Sequence, residues 1–231
     1  MNLIPVIVTC QALSLVFLLP ITGDRSKLVT MSPEPQPTAV VQSSREPAPG
    51  ELALLQRFVN SVDLEDGIEE LDSPASLRRW LAERDLIARN AKLGEPDLRR
   101  AIELREALRL LLHANNGAPV DADALETVNA AARASQLVVR FDGEGGARLE
   151  PARRGLDGAL GTLLAIAYRS MVDGTWERLK ACPEETCGWA FYDRSRNRSS
   201  TWCSMAVCGN RAKARAFRRR HGADRAGGAA S

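Results

Sequence analysis

Four of the five cysteines in this chain lie between positions 182 and 208, spaced Cys182-x4-Cys187-x15-Cys203-x4-Cys208. Two close pairs separated by a short insert are the layout of a metal site. Zn²⁺ takes four tetrahedral ligands and thiolates suit it; each pair supplies two ligands from one tight turn. Four intervening residues per pair lie at the wide end of the usual ligand spacing. The insert is predicted to form a hairpin between the two turns. Gly188 and Gly209 each follow the second cysteine of a pair and are expected to let the chain turn sharply there. Four cysteines close the coordination shell, so a zinc held here is structural rather than catalytic. Two disulfides, the competing reading, need an oxidising compartment; four buried free thiols are the other.

Charge is unevenly spread around that cluster. Eleven of the 31 Lys and Arg, but four of the 29 Asp and Glu, lie between Trp176 and His221. A basic end on an otherwise acidic chain points to a polyanion, nucleic acid first and an anionic membrane surface second. Within the insert, Arg194, Arg196 and Arg198 alternate with Ser195 and Asn197. In an extended segment or turn they share one face, matched only by Asp193, and form a candidate phosphate clamp; a solvated surface is the plainer reading. Trp189, Phe191, Tyr192 and Trp202 are expected to supply a small core rather than a base-stacking surface. After Cys208 the alanines of GNRAKARAFRRRH predict a helix, with Ala212, Ala216 and Phe217 packed inward. Arg211, Lys213, Arg215 and Arg218 have no acidic partner within that stretch. Such a helix can enter a DNA major groove or lie along RNA phosphates. Asn210 and Arg211 have base-reading side chains, yet could equally bond within the module.

The preceding region reads as mainly α. Helices are predicted over 51–62, from Ser73-Pro74 and ending by Leu86, from Gly94 to His113, and over 121–134. Gln136–Phe141 and Ala147–Glu150 predict one small β-hairpin across a Gly-rich turn. A final helix carries Leu156, Leu160, Leu163, Leu164, Ala167 and Met171 on one stripe, with Gly158 and Gly161 predicting close packing. The organisation read from this is a helical domain over 51–176, a zinc-stabilised hairpin-plus-helix module over 177–221, and a disordered tail over 222–231. Ser32–Gly50 is rich in Pro and Ser and reads as disordered, with order beginning at Glu51. Met1–Thr22 is almost wholly apolar, but it lacks a basic n-region and a clean cleavage site, and Pro5 and Pro20 interrupt it. A misplaced start, with Met31 the true one, is favoured over a membrane anchor or a buried or disordered leader.

Arg105 sits among Leu98, Ile102, Leu108 and Leu112 on an apolar stripe. A charge there must be paired or reach outward. Asp63 and Asn60 are the candidate partners. An internal ion pair is the plainer reading, and a pocket for a small anionic effector built on Asn60, Asp63 and Arg105 the functional one.

The residues Cys182-Pro183, Cys187, Phe191, Asp193, Ser195–Ser199, Trp202–Met205 and Cys208–Arg211 with Lys213 resemble the CGNR zinc-finger family of bacterial proteins. Upstream, GELALLQRFVNSVD, LRRWLAER and LREALRLLL resemble the helical domain that precedes this finger, described as a putative stress-induced transcription regulator domain. The resemblance implies a cytoplasmic DNA-binding regulator with structural Zn²⁺. Three functions remain open. One is a transcription regulator with a helical sensor or dimerisation domain. The second is an RNA-binding or ribosome-associated protein, or a protein-interaction module, using the same finger. The third and weakest is an enzyme: the chain has two histidines, His113 and His221, and no phosphate loop or nucleophile motif.

Overall fold

Ser73, Gly94 and Asp121 each begin a helix in the computed structural model, which describes residues 46–227. The Ser73 hydroxyl accepts from the Ser76 amide, with Pro74 in the first turn, and opens α2 (Pro74–Ala82). The Asp97 carboxylate accepts from the Gly94 amide at 2.9 Å at the start of α3 (Glu95–Ala114). Asp121 caps α4 (Ala122–Ser135) through the Ala124 amide. These caps occupy donors that the first helical turn otherwise leaves unpaired. Ahead of them lies α1 (Leu52–Val59), and after them come β3 (Leu137–Phe141), β4 (Ala147–Pro151) and α5 (Gly155–Val172). The expected helices and the expected hairpin are therefore present, and the protein is mainly α.

The core forms where α3 crosses the molecule. It packs against α1, α2, α4 and α5 and against β5 (Leu179–Ala181). Leu104, Leu108 and Leu112 of α3 are buried with Leu55, Phe58 and Val59 of α1, Leu77 and Leu81 of α2, and Leu160 and Leu163 of α5. Each such side chain contributes roughly 1.5–3 kcal/mol of burial. Gly161 lets α5 approach closely: a Cβ there would lie 2.5 Å from Ser135 Cβ and 2.9 Å from Pro151 Cβ. Gly158 instead faces Arg153 O in the turn just before its own helix.

α2 stops at Ala82, ahead of Leu86 as expected, and Asp85 then turns into the left-handed region at φ 55°. Several other expectations are corrected. A second, unforeseen hairpin pairs β1 (Val62–Asp63) with β2 (Ile68–Glu69); the Asp63 carboxylate accepts from the Glu65 and Asp66 amides in its turn. Met171 lies exposed rather than on the buried stripe. Order begins before Glu51: Ala48 is buried, and its amide donates to Gln56 Oε1. The finger's hairpin does not lie in the insert. β5 precedes Cys182 and β6 (Ala190–Tyr192) follows Cys187, so the hairpin straddles the first cysteine pair. The last helix, α6 (Asn210–Gly227), runs on into the stretch read as a disordered tail, with Phe217 exposed against His221. Met1–Thr22, Met31 and most of the Pro- and Ser-rich segment lie outside the described residues. No helix among the described residues is long and apolar enough to cross a membrane.

Candidate metal centre and basic face

The two cysteine pairs converge because one sits in a hairpin loop and the other at a helix entrance. Cys182 and Cys187 occupy the loop joining β5 to β6, where the Cys182 amide donates to Trp189 O and the Cys187 amide to Glu184 O, both at 2.9 Å. Gly188 closes that loop at φ +56°, a conformation L side chains rarely adopt, and a Cβ there would also lie 2.9 Å from Leu64 Cδ1. Cys203 precedes a single wide turn, Met205–Gly209, that leads into α6; the Ser204 hydroxyl caps it through the Val207 amide. Gly209 lies inside this turn beside Met205 and Trp202 and has no positive φ, so it is not the sharp turn expected there.

All four Sγ atoms are buried and lie within 4.8 Å of one another. Cys187 and Cys203 are 3.5 Å apart, and Cys203 and Cys208 3.6 Å. A tetrahedral zinc–thiolate shell spaces its sulfurs by about 3.8 Å, given Zn–S near 2.3 Å. Electrostatics point the same way. Hydrogen bonds from Cys187 and Cys203 pull the Cys182 thiol down to about 2. Hydrogen bonding to Cys182, together with burial, pushes Cys203 far up, and burial pushes Cys208 up to about 12. Thiolates buried this close together repel one another, and a cation among them relieves that repulsion. The donor set fits a metal ion, with Cys182, Cys187, Cys203 and Cys208 as its ligands.

Around the cysteines, Phe191 is buried, and Trp189, Trp202 and Val207 pack on it as a small second core. Tyr192 joins the main core instead. The insert is organised by Asp193, whose carboxylate accepts from the Ser195 and Ser200 amides and from Lys180 Nζ at 2.8 Å. Lys180 also reaches Arg198 O and Ser200 O, and Arg178 holds Asp193 O and Ser195 O. Asp193 is therefore no counter-charge for the arginines. Burial pushes its carboxyl up, but Lys180 and then Ser195 outweigh that and hold it at about 2. Its contribution to stability is present above about pH 3.9 and is lost as pH falls toward 2. Asp193→Asn leaves Lys180 buried without its carboxylate and is expected to destabilise the metal-loaded chain by about 3–5 kcal/mol in urea denaturation.

The three arginines of the insert part company. Arg194 pairs with Glu46, donates to Pro47 O and lies over Tyr192. Arg198 takes φ +53° and pairs with Glu177. Arg196 and Asn197 stand exposed at the tip of the turn, and Arg196 has no carboxylate partner among the described residues. On α6, Arg215 grips buried Glu184 with both Nη atoms, bracing the helix against the first cysteine loop. Arg211 reaches Glu65 in the β1–β2 turn at 2.5 Å, and Asn210 Nδ2 donates to Ala206 O in the wide turn just before α6. Lys213, Arg218, Arg219 and Arg220 are exposed, with no carboxylate partner among the described residues.

Nor are Asn60, Asp63 and Arg105 one pocket. Arg105 is 3% exposed and bidentate to Glu69 at 2.6 and 2.7 Å, with Nε on Glu106 and Nη1 near Ser61. The partners expected from the stripe are engaged elsewhere: Asp63 serves its turn, and Asn60 binds the finger. Asn60 Nδ2 donates to Ala190 O at 2.8 Å, and its Oδ1 accepts from the Ala190 amide at 2.7 Å.

That Asn60 contact belongs to a set of bonds between body and finger that has no signature in the sequence. Gln56 also donates to Ala190 O. Asn115 donates to Trp176 O and Leu179 O, and Asn116 to Ala181 O and Thr201 O. Arg109, 5% exposed, donates to Gly188 O at 2.7 Å and Val59 O at 2.5 Å, with Nε on Glu106. Leu179, Ala181 and Ala190 of the finger's hairpin lie in the main core. The finger is thus fastened to the helical body at both its strands and its first cysteine loop.

Two family models match the chain. One, described as "Putative stress-induced transcription regulator", covers residues 52–174, just over half of the sequence. The other, described as "CGNR zinc finger", follows it over residues 178–221. No curated protein matches the chain.

Proposed function

The chain belongs to the family in which this regulator domain is followed by a CGNR zinc finger, and we propose that it is a cytoplasmic transcription regulator, not an enzyme, that binds double-stranded DNA. Its Zn²⁺ is structural, held in a closed shell by four thiolates. One observation carries the reading. Of the basic residues around the metal centre, Arg194, Arg198, Arg211 and Arg215 are matched by carboxylates, whereas Arg196, Lys213 and Arg218–Arg220 have no carboxylate partner among the described residues. Unmatched cations on a helix entered from a rigid metal centre suit phosphate contacts, and a helix fits the roughly 12 Å major groove of duplex DNA.

Fluorescence anisotropy with mixed-sequence duplex DNA tests this. The metal-loaded chain is expected to bind with an affinity that falls steeply with salt. Lys213→Ala combined with Arg218→Ala should lower the salt slope by roughly 2, at about 0.9 per phosphate contact. Arg215→Ala should instead lower stability. Preference for single-stranded RNA over duplex would move the assignment to RNA, and absence of salt-dependent binding to either would overturn it.

A further inference from the structure

Between α1, the end of α2 and the finger lies a cavity of about 350 Å³, a size suited to a small ligand. Its walls include Arg57, Arg84, Glu70, Trp80, Trp189 and Asn60. Arg84 is placed firmly: its guanidinium carbon lies 4.0 Å from the centroid of the Trp80 ring, and Nη1 donates to Trp80 O at 2.8 Å. Yet its Nε is buried with no hydrogen-bond partner among the described residues. Glu70, the carboxylate on the same wall, accepts from Trp80 Nε1 at 3.1 Å and makes no ion pair with Arg84. The ion pair Arg84 does make, with the exposed Glu83, is long at 3.6 Å. Burial lowers the affinity of Arg84 for its proton; Glu70 offsets part of this and Arg57 adds to it. Arg57 has no carboxylate partner among the described residues. Two guanidiniums thus share a partly desolvated cleft with one carboxylate that is engaged elsewhere, and one buried donor is unused. An unpaired buried donor is costly, and a carboxylate is the acceptor that matches a guanidinium edge. Trp189, half-buried on the finger side, adds a flat aromatic wall.

We infer that this cavity binds a small aromatic monocarboxylate, its carboxylate on Arg84 and Arg57 and its ring against Trp189. The occupant would lie beside Asn60 and Gln56, whose side chains hold Ala190 of the finger. Binding there would therefore tighten the seam between body and finger. The site shares only Asn60 with the grouping expected from the sequence, and it does not depend on what α6 binds.

Isothermal titration calorimetry on the metal-loaded full chain tests it, with benzoate and indole-3-acetate as probes and indole-3-acetamide as the uncharged control. The expected result is saturable 1:1 binding of at least one of the two carboxylates. Affinity should fall at least tenfold for the amide and for Arg84→Gln. The exposed Arg57→Gln variant, which leaves the core untouched, should weaken binding several-fold. Failure of both carboxylates to bind at millimolar concentration would overturn the inference. So would equal binding of the amide, or binding unchanged in both arginine variants.

Discussion

Cys203→Ala, or removal of the metal by a chelator, is expected to abolish the cooperative thermal transition of the whole chain and not merely loosen its last fifty or so residues. Structural zinc contributes an apparent 10–16 kcal/mol or so near neutral pH, while a whole domain is stable by about 5–15 kcal/mol. Loss of the metal is therefore large enough to unfold whatever is tied to it. What is tied to it is the core itself: Leu179, Ala181 and Ala190 are fully buried among the leucines of α1, α3 and α5. Purified native chain should carry one zinc per molecule by metal analysis. Helical circular dichroism should fall by more than half on chelation and return on adding Zn²⁺.

The second large effect is expected at Arg109. Arg109→Met removes two charge-assisted hydrogen bonds, to Gly188 O and Val59 O, and both carbonyls are buried. At about 1.5–3 kcal/mol each, their loss should cost roughly 3–6 kcal/mol. The variant should also change acid unfolding. Burial alone would raise the Glu106 carboxyl, but Arg109 and then Arg105 reverse this and hold it below the usual range. The stabilisation from Glu106 is thus present above its unfolded value, about 4.3, and is lost as pH falls below that. Without Arg109, Glu106 gains protons at higher pH, so the acid midpoint should move upward. An unchanged midpoint with normal stability would remove Arg109 from the seam.

The sequence revealed what repeats or has a local signature. Ser73 and Asp121 cap helices by bonding three residues ahead, and four cysteines at matched spacing state their own chemistry. The docking of the finger has no such signature. Asn60, Asn115 and Asn116 bind backbone carbonyls and amides of residues far along the chain, and any residue offers those groups. Asn115-Asn116-Gly117 reads as a helix stop, which it is, and nothing local tells that both side chains also fasten the finger. One signal was readable: Arg109 lies one turn after Arg105 on the same face, and two arginines in one apolar stripe imply buried partners they share. That partner is Glu106, between them in sequence, which the stripe alone places outside. The insert's arginines illustrate the reverse. Alternation suggests one face, but Asp193 gathers the backbone into a compact turn that sends Arg194 and Arg198 to different carboxylates.

Amide hydrogen exchange over α3, compared between the metal-loaded and chelated native chain, tests most directly whether body and finger fold as one unit. Coupling through Arg109, Asn115, Asn116 and the shared core predicts that amides from Leu104 to Leu112 lose protection together with β5 and β6 when the metal is removed. Full protection of α3 in the chelated chain, with only the finger exchanging freely, would contradict it.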